Sequence, residues 1–165
     1  MPDQTDLKLL FLDIALFENG AAIRGGALIT DSATRPYEFR CTGGVKPTQL
    51  QRVLYGDTLD EYIQVELIGV PLVKAAKESP SLILVRNNGL LRIRPHVSCP
   101  VVVLVRSNSK SAVDAEKAGE LRILAHREFP AEVTAAQAML ASLMQNRDLL
   151  EPFERLQVAL TEAHR

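Results

Sequence analysis

Residues 7–31, "LKLLFLDIALFENGAAIRGGALITD", carry the reading of the fold. Residues 7–17 are apolar almost without interruption, as a strand covered on both faces must be. Glu18-Asn19-Gly20 then supplies Asn-Gly, the pair best suited to the two left-handed positions of a type I′ turn. Residues 21–31 therefore return antiparallel. Because a two-residue turn sets the register, Glu18 faces Ala21, and counting back places Asp13 opposite Gly26 with Gly25 beside it. An ionised carboxylate in so apolar a strand is costly unless it is paired, hydrogen-bonded or metal-bound. Asp13 is thus the first candidate functional residue, and the glycines opposite leave room for a metal, water or substrate to approach. The alternative is that Gly25-Gly26 forms a β-bulge and Asp13 accepts ordinary hydrogen bonds.

Beyond this hairpin, "DSATRP" is a turn and residues 37–42, "YEFRCT", alternate as a half-exposed third strand. Pro47 suits a first helical position, with Leu50, Val53 and Leu54 at helical spacing. Residues 47–77 form a long helical crossover that Gly56 interrupts and Gly69 and Pro71 break or kink. The crossover leads to "SLILV" at 81–85, and "PVVVLVRS" at 100–107 is a second short, β-branched run of the kind found in buried parallel strands. Residues 121–129 alternate as an edge strand. An Ala-rich helix after Pro130 and a last helix with Leu149, Phe153, Leu156 and Leu160 at spacings of four, three and four complete the chain. The fold class expected is α/β: one domain over residues 1–165 with a mixed sheet, an N-terminal antiparallel meander, a helical crossover, parallel strands and two C-terminal helices.

Composition excludes several classes of function. With 19 Lys and Arg against 20 Asp and Glu, the net charge of −1 exerts no global pull on nucleic acid or anionic membrane. No apolar run reaches the roughly 18 residues of a membrane helix. "MPDQTDLKLL" has neither a basic leader region nor a cleavage signal, so a cytoplasmic location is expected. Cys41 and Cys99 are too few for a disulfide framework or an all-cysteine zinc site. His96 and Cys99, three apart, could ligate a metal, with Cys41 on the same sheet, but zinc needs about four ligands and no further pair is at hand. His126 and His164 are isolated. No nucleophile elbow, phosphate-binding loop or dinucleotide fingerprint is present. Arg86, Asn87, Arg92 and Arg94, with Arg106, gather near the ends of two strands. They make a candidate rim for phosphates or carboxylates, or else solvated side chains on alternate positions of exposed strands. The segment 107–120 is expected to be a mobile loop.

Three meandering strands, a helical crossover and a further apolar strand, with an acid in the middle of the first, resemble the ribonuclease-H-like fold. Within it, "YIQVELIGVPLVKAAKESPSLILVRNNGLLRIRP" is similar to endonuclease V, whose members carry a Tyr-Ile, a Glu shortly before a Pro and an apolar strand ending in Asp-Gly. The resemblance spans about residues 9–106. It implies Asp13 as a first metal-binding acid, Glu66 as the acid of the crossover, and Mg²⁺ or Mn²⁺ as cofactor, with Asp114 or Glu120 as a third acid. At the Asp-Gly position, however, stand Arg86-Asn87-Asn88-Gly89, a cation and two amides where clustered carboxylates would hold metals. Two functions follow as expectations. One is a non-catalytic binding or assembly protein without cofactor, forming a homo-oligomer through a sheet edge or the terminal helices. The other is a divergent metal-dependent nuclease acting on nucleic acid.

Overall fold

The computed structural model describes residues 7–106 and 121–165. Their strands form one six-stranded sheet in the order β3-β2-β1-β4-β5-β6. β1 (Leu9–Phe17) and β2 (Ala22–Thr30) pair antiparallel with Asp13 opposite Gly26, the register that the Asn19-Gly20 turn dictates. Glu18 (φ 55°), Asn19 (φ 57°) and Gly20 (φ 88°) are all left-handed, one residue more than a two-residue turn requires, and Ala21 N–H donates to Glu18 O at 3.1 Å to close it. β3 (Pro36–Cys41) closes the meander antiparallel to β2 and forms one edge.

The crossover starts at α1 (Gln49–Tyr55), where Thr48 caps the helix: its side chain accepts from Gln51 N–H while the Gln51 side chain accepts from Thr48 N–H. Pro47 thus lies outside the helix. After a 3₁₀ turn and the short α2 (Leu59–Glu61), the chain continues as a π-helical stretch, Tyr62–Gly69, into α3 (Val70–Ala75). The break expected at Gly69 and Pro71 is a widened turn instead. Val70 N–H reaches back five residues to Val65 O, which accommodates a proline that has no N–H to donate.

β4 (Leu82–Val85) then enters parallel to β1, and β5 (Val101–Arg106) parallel to β4. β6 (Leu121–Ala125) pairs antiparallel with β5 at the second edge. Residues 88–96 are 3₁₀-helical, so the arginines there do not alternate along an exposed strand. Leu90 and Ile93, three apart and fully buried, fit a helix of three residues per turn.

Both faces of the sheet are covered. Leu9, Phe11 and Ala15 of β1 pack with Leu140 of α4 (Glu132–Asn146) and with Phe153, Leu156 and Leu160 of α5 (Glu151–His164). Leu10 and Leu12 point the other way, against Ile63, Ile68 and Leu72 of the crossover and Leu90 and Ile93 of the 3₁₀ segment. Gly25 and Gly26 lie in regular register rather than in a bulge. The space they leave belongs to the helices. A Cβ on Gly25 would stand 2.0 Å from Ile68 Cγ2, and one on Gly26 would stand 2.9 Å from Leu156 Cδ1 and Leu160 Cδ2. Among the described residues, no helix is long and apolar enough to cross a membrane.

Candidate functional site at the ends of the parallel strands

Strand pairing brings Asp13 and Arg86 together. Leu12 is opposite Val85 in the parallel ladder, so Arg86, the first residue beyond β4, stands level with Asp13, where β1 continues paired with β2 alone. Asp13 keeps only 4% of its surface exposed. Its Oδ2 accepts from Arg86 Nε at 2.8 Å and from Gln157 Nε2 at 3.0 Å, and its Oδ1 accepts from Ile14 N–H at 3.0 Å. Gln157, on α5, also donates to Ile14 O at 2.9 Å and so straps the helix to the middle of β1. The Arg86 guanidinium lies 5.4 Å from the Phe153 ring centre. One carboxylate is thus matched by one cation and two neutral donors, which satisfies it without a metal.

Beside the pair opens a cavity of about 770 Å³. Leu16, Ile23 and Ile63 form its apolar wall, and Asp60, Gln64, Arg86 and Asn88 its polar part. Asn87 also borders it, but its side chain is committed to the local backbone. Its Oδ1 accepts from Gly89 N–H at 2.8 Å and caps the start of the 3₁₀ segment. Cavities of this size and mixed lining suit small ligands or a protruding group of a larger one.

Glu66 lies elsewhere. It is exposed and borders a separate cavity of about 340 Å³ with Tyr55, Tyr62 and His96. The structure therefore does not bring Asp13 and Glu66 to one cavity. Among the described residues, no three His, Cys, Asp or Glu side chains converge on a point where a metal could sit. Asp114, Glu120 and the loop expected at 107–120 lie outside the described residues. Mg²⁺ and Mn²⁺ require several oxygen ligands. At Asp13 they would meet a guanidinium 2.8 Å from the carboxylate and two further N–H donors, so the donor set does not fit such an ion.

The arginines separate into two kinds. Arg94 is held within the fold: its Nε donates to both Glu132 oxygens at 2.9 Å, its Nη1 donates to Val97 O at 2.9 Å, and its guanidinium lies 3.9 Å from the Phe129 ring centre. Arg106 bonds Asp148 at 3.0 Å. Arg92 is exposed, and Arg86 faces the cavity while holding Asp13. Cys99 borders a further cavity with His96. Burial, chiefly, pushes its thiol up to about 11, against the pull of Arg94 and with a smaller push from Glu132. It is a protonated packing residue at neutral pH, not a ready thiolate ligand.

Asp60, Gln64 and Gln157 escape a reading of the sequence. Gln157 sits next to the Phe153, Leu156 and Leu160 stripe with nothing to distinguish it from a solvated helix residue. Its role depends on which strand α5 crosses.

No family model matches the chain, and no curated protein matches it significantly. Solved structures do. Human endonuclease V superposes over 96% of this chain and 84% of its own, with a TM-score of 0.64 at 13% identity. The chain has an endonuclease V-like fold. Endonuclease V of Bacillus subtilis matches 62% of this chain and 46% of its own at 15% identity, with a TM-score of 0.44. A Ciona intestinalis endonuclease V in complex with inosine-containing DNA matches 68% and 51% at 16% identity, with a TM-score of 0.42.

Proposed function

We propose that this chain binds nucleic acid on a nuclease-like fold without cutting it, the Asp13–Arg86 pair occupying the position where metal-held carboxylates would be needed. The observation that carries the reading is the set of donors around Asp13: a guanidinium, an amide and a backbone N–H, with no group of three metal-ligating side chains there among the described residues. Nucleic acid as the ligand class is supported by fold-level analogy with human endonuclease V. The cavity beside Arg86 and the exposed Arg92 supply polar and cationic contacts of the kind a strand requires. Asp13 positions Arg86 at the cavity wall, and Arg86, Asn87 and Arg92 form the binding rim. Arg94 contributes by holding the 3₁₀ segment that carries Arg92 to α4.

A second reading is a divergent metal-dependent nuclease, favoured by the extent of the fold match. It requires Asp13 and Glu66 as acids, Asp114 or Glu120 as a third, and Mg²⁺ or Mn²⁺.

The two are separated with labelled single- and double-stranded DNA and RNA, incubated with the full chain in EDTA or in Mn²⁺. Binding reads as equal anisotropy increases in both conditions, weakened in Arg92→Ala, with strands left intact. Cleavage that needs Mn²⁺ and disappears in Asp13→Asn would replace the first reading with the second. Absence of binding to every strand would remove both.

A further inference from the structure

The edge strand β3 has a self-complementary register. Thr42 N–H donates to Gly25 O at 2.9 Å, and Gly25–Thr42 extends the Gly26–Cys41 pairing. Bonded and non-bonded pairs alternate along an antiparallel ladder. Arg40 and Glu38 therefore turn their backbone groups toward β2, while Phe39 and Cys41 turn theirs outward. Beside this open backbone, Phe39 is 41% and Tyr37 51% exposed, an unusual load of aromatic surface for an unpaired edge.

We infer that β3 pairs antiparallel with β3 of a second copy, about a two-fold axis through Phe39. In that register Phe39 lies opposite itself as a hydrogen-bonded pair, and Glu38 lies opposite Arg40 of the other copy on both sides of the axis. Arg40 Nε already bonds Glu38 in its own chain, and its two Nη nitrogens have no partner among the described residues. Joined across the axis, the two pairs form a closed ring of alternating charges. A second copy is therefore the occupant, since it alone supplies opposite charges at both positions by symmetry. The other edge lacks this property: a two-fold axis through Ile123 of β6 would set Arg122 against Leu124. The register shift between Ile29 and Thr30 leaves Tyr37 as an extra residue, so the regular strip is short and pinned to one alignment. This assembly is independent of the ligand reading above.

Light scattering of the full chain at tens of micromolar is expected to give a dimer. Arg40→Glu, which sets two acids against each other, is expected to be monomeric, and Glu38→Arg combined with Arg40→Glu to be dimeric again. Circular dichroism confirms that each variant is folded. A second test does not depend on charge. Phe39→Cys in a Cys41→Ser background places the two thiols at the axis, and mild oxidation is expected to yield a disulfide-linked dimer, whereas Leu50→Cys in the same background yields none. A monomer at every concentration, or a dimer indifferent to Arg40→Glu with no cross-link at position 39, overturns the proposal.

Discussion

Arg86 and Asp13, 73 residues apart in sequence, meet at 2.8 Å where β4 ends beside the middle of β1. The carboxylate is nearly buried and the guanidinium about one-third exposed, so the pair is screened on one side only. Arg86→Ala removes the cation but leaves Asp13 with Gln157 and Ile14 N–H. Its expected cost is about 1–3 kcal/mol, below that of breaking a fully buried pair. In an Asp13→Asn background, with no charge left to compensate, the same change should cost about 1 kcal/mol less. Urea unfolding of the four proteins of this cycle measures the coupling.

Gly25 and Gly26 are close-packing sites. Gly25→Ala drives a methyl to 2.0 Å from Ile68 Cγ2 on a fully buried side chain, and a loss of about 1–3 kcal/mol is expected. Gly26→Ala meets the ends of two leucine side chains at 2.9 Å, which can move, and should cost less. Gly43→Ala, with nothing within 4 Å, should be close to neutral. Denaturation midpoints should fall in that order. A Gly25→Ala protein as stable as the parent would remove the packing explanation.

The two cysteines should differ in reactivity. Cys41 is exposed on β3, whereas the Cys99 thiol, held up to about 11 by burial, is almost wholly protonated at pH 8. Mass spectrometry after brief iodoacetamide treatment of native protein should find Cys41 alkylated and Cys99 intact, with Cys99 reacting once urea unfolds the chain. Equal rates in the native state would contradict its burial.

Acid stability should depend on Glu38. Burial would raise its carboxyl, but hydrogen bonds from Glu78 N–H, Arg40 and Lys77 N–H outweigh that and hold it below its ordinary value of 4.5. The folded state then binds the proton less readily than the unfolded one. The resulting stabilisation is present above 4.5 and is lost as pH falls through the lower folded value. Unfolding free energy measured by urea from neutral pH downward should decline over that window, and Glu38→Gln should flatten the decline. An unchanged slope in the variant would show that Glu38 contributes nothing to it.

Much of the architecture is legible because it is local. Asn19-Gly20 sets the hairpin register, hence the Asp13–Gly26 pairing, and the Leu149, Phe153, Leu156, Leu160 stripe marks the buried face of α5. The surroundings of Asp13 are not local. Its partners come from residues 86 and 157, and only the parallel pairing of β1 with β4 and the crossing of α5 over β1 bring them together. The glycines opposite signal free space in sequence, yet in three dimensions Ile68, Leu156 and Leu160 take it. Residues 88–96 are ambiguous for another reason: apolar residues three apart amid arginines fit a 3₁₀ turn and an irregular strand equally well, and the Asn87 cap decides between them. Arg94 reads as a free cation until Glu132 and Phe129, more than thirty residues later, fold against it.

On the proposed reading, an ion pair stands in place of a metal centre on this nuclease-like fold. That substitution is tested by the melting temperature of the full chain and of Asp13→Asn with and without millimolar Mn²⁺, since an ion bound only by the native state raises apparent stability. No Mn²⁺-dependent rise is expected in either protein. A rise of several degrees in the parent that vanishes in Asp13→Asn would overturn the ion-pair reading and restore Asp13 as a metal ligand.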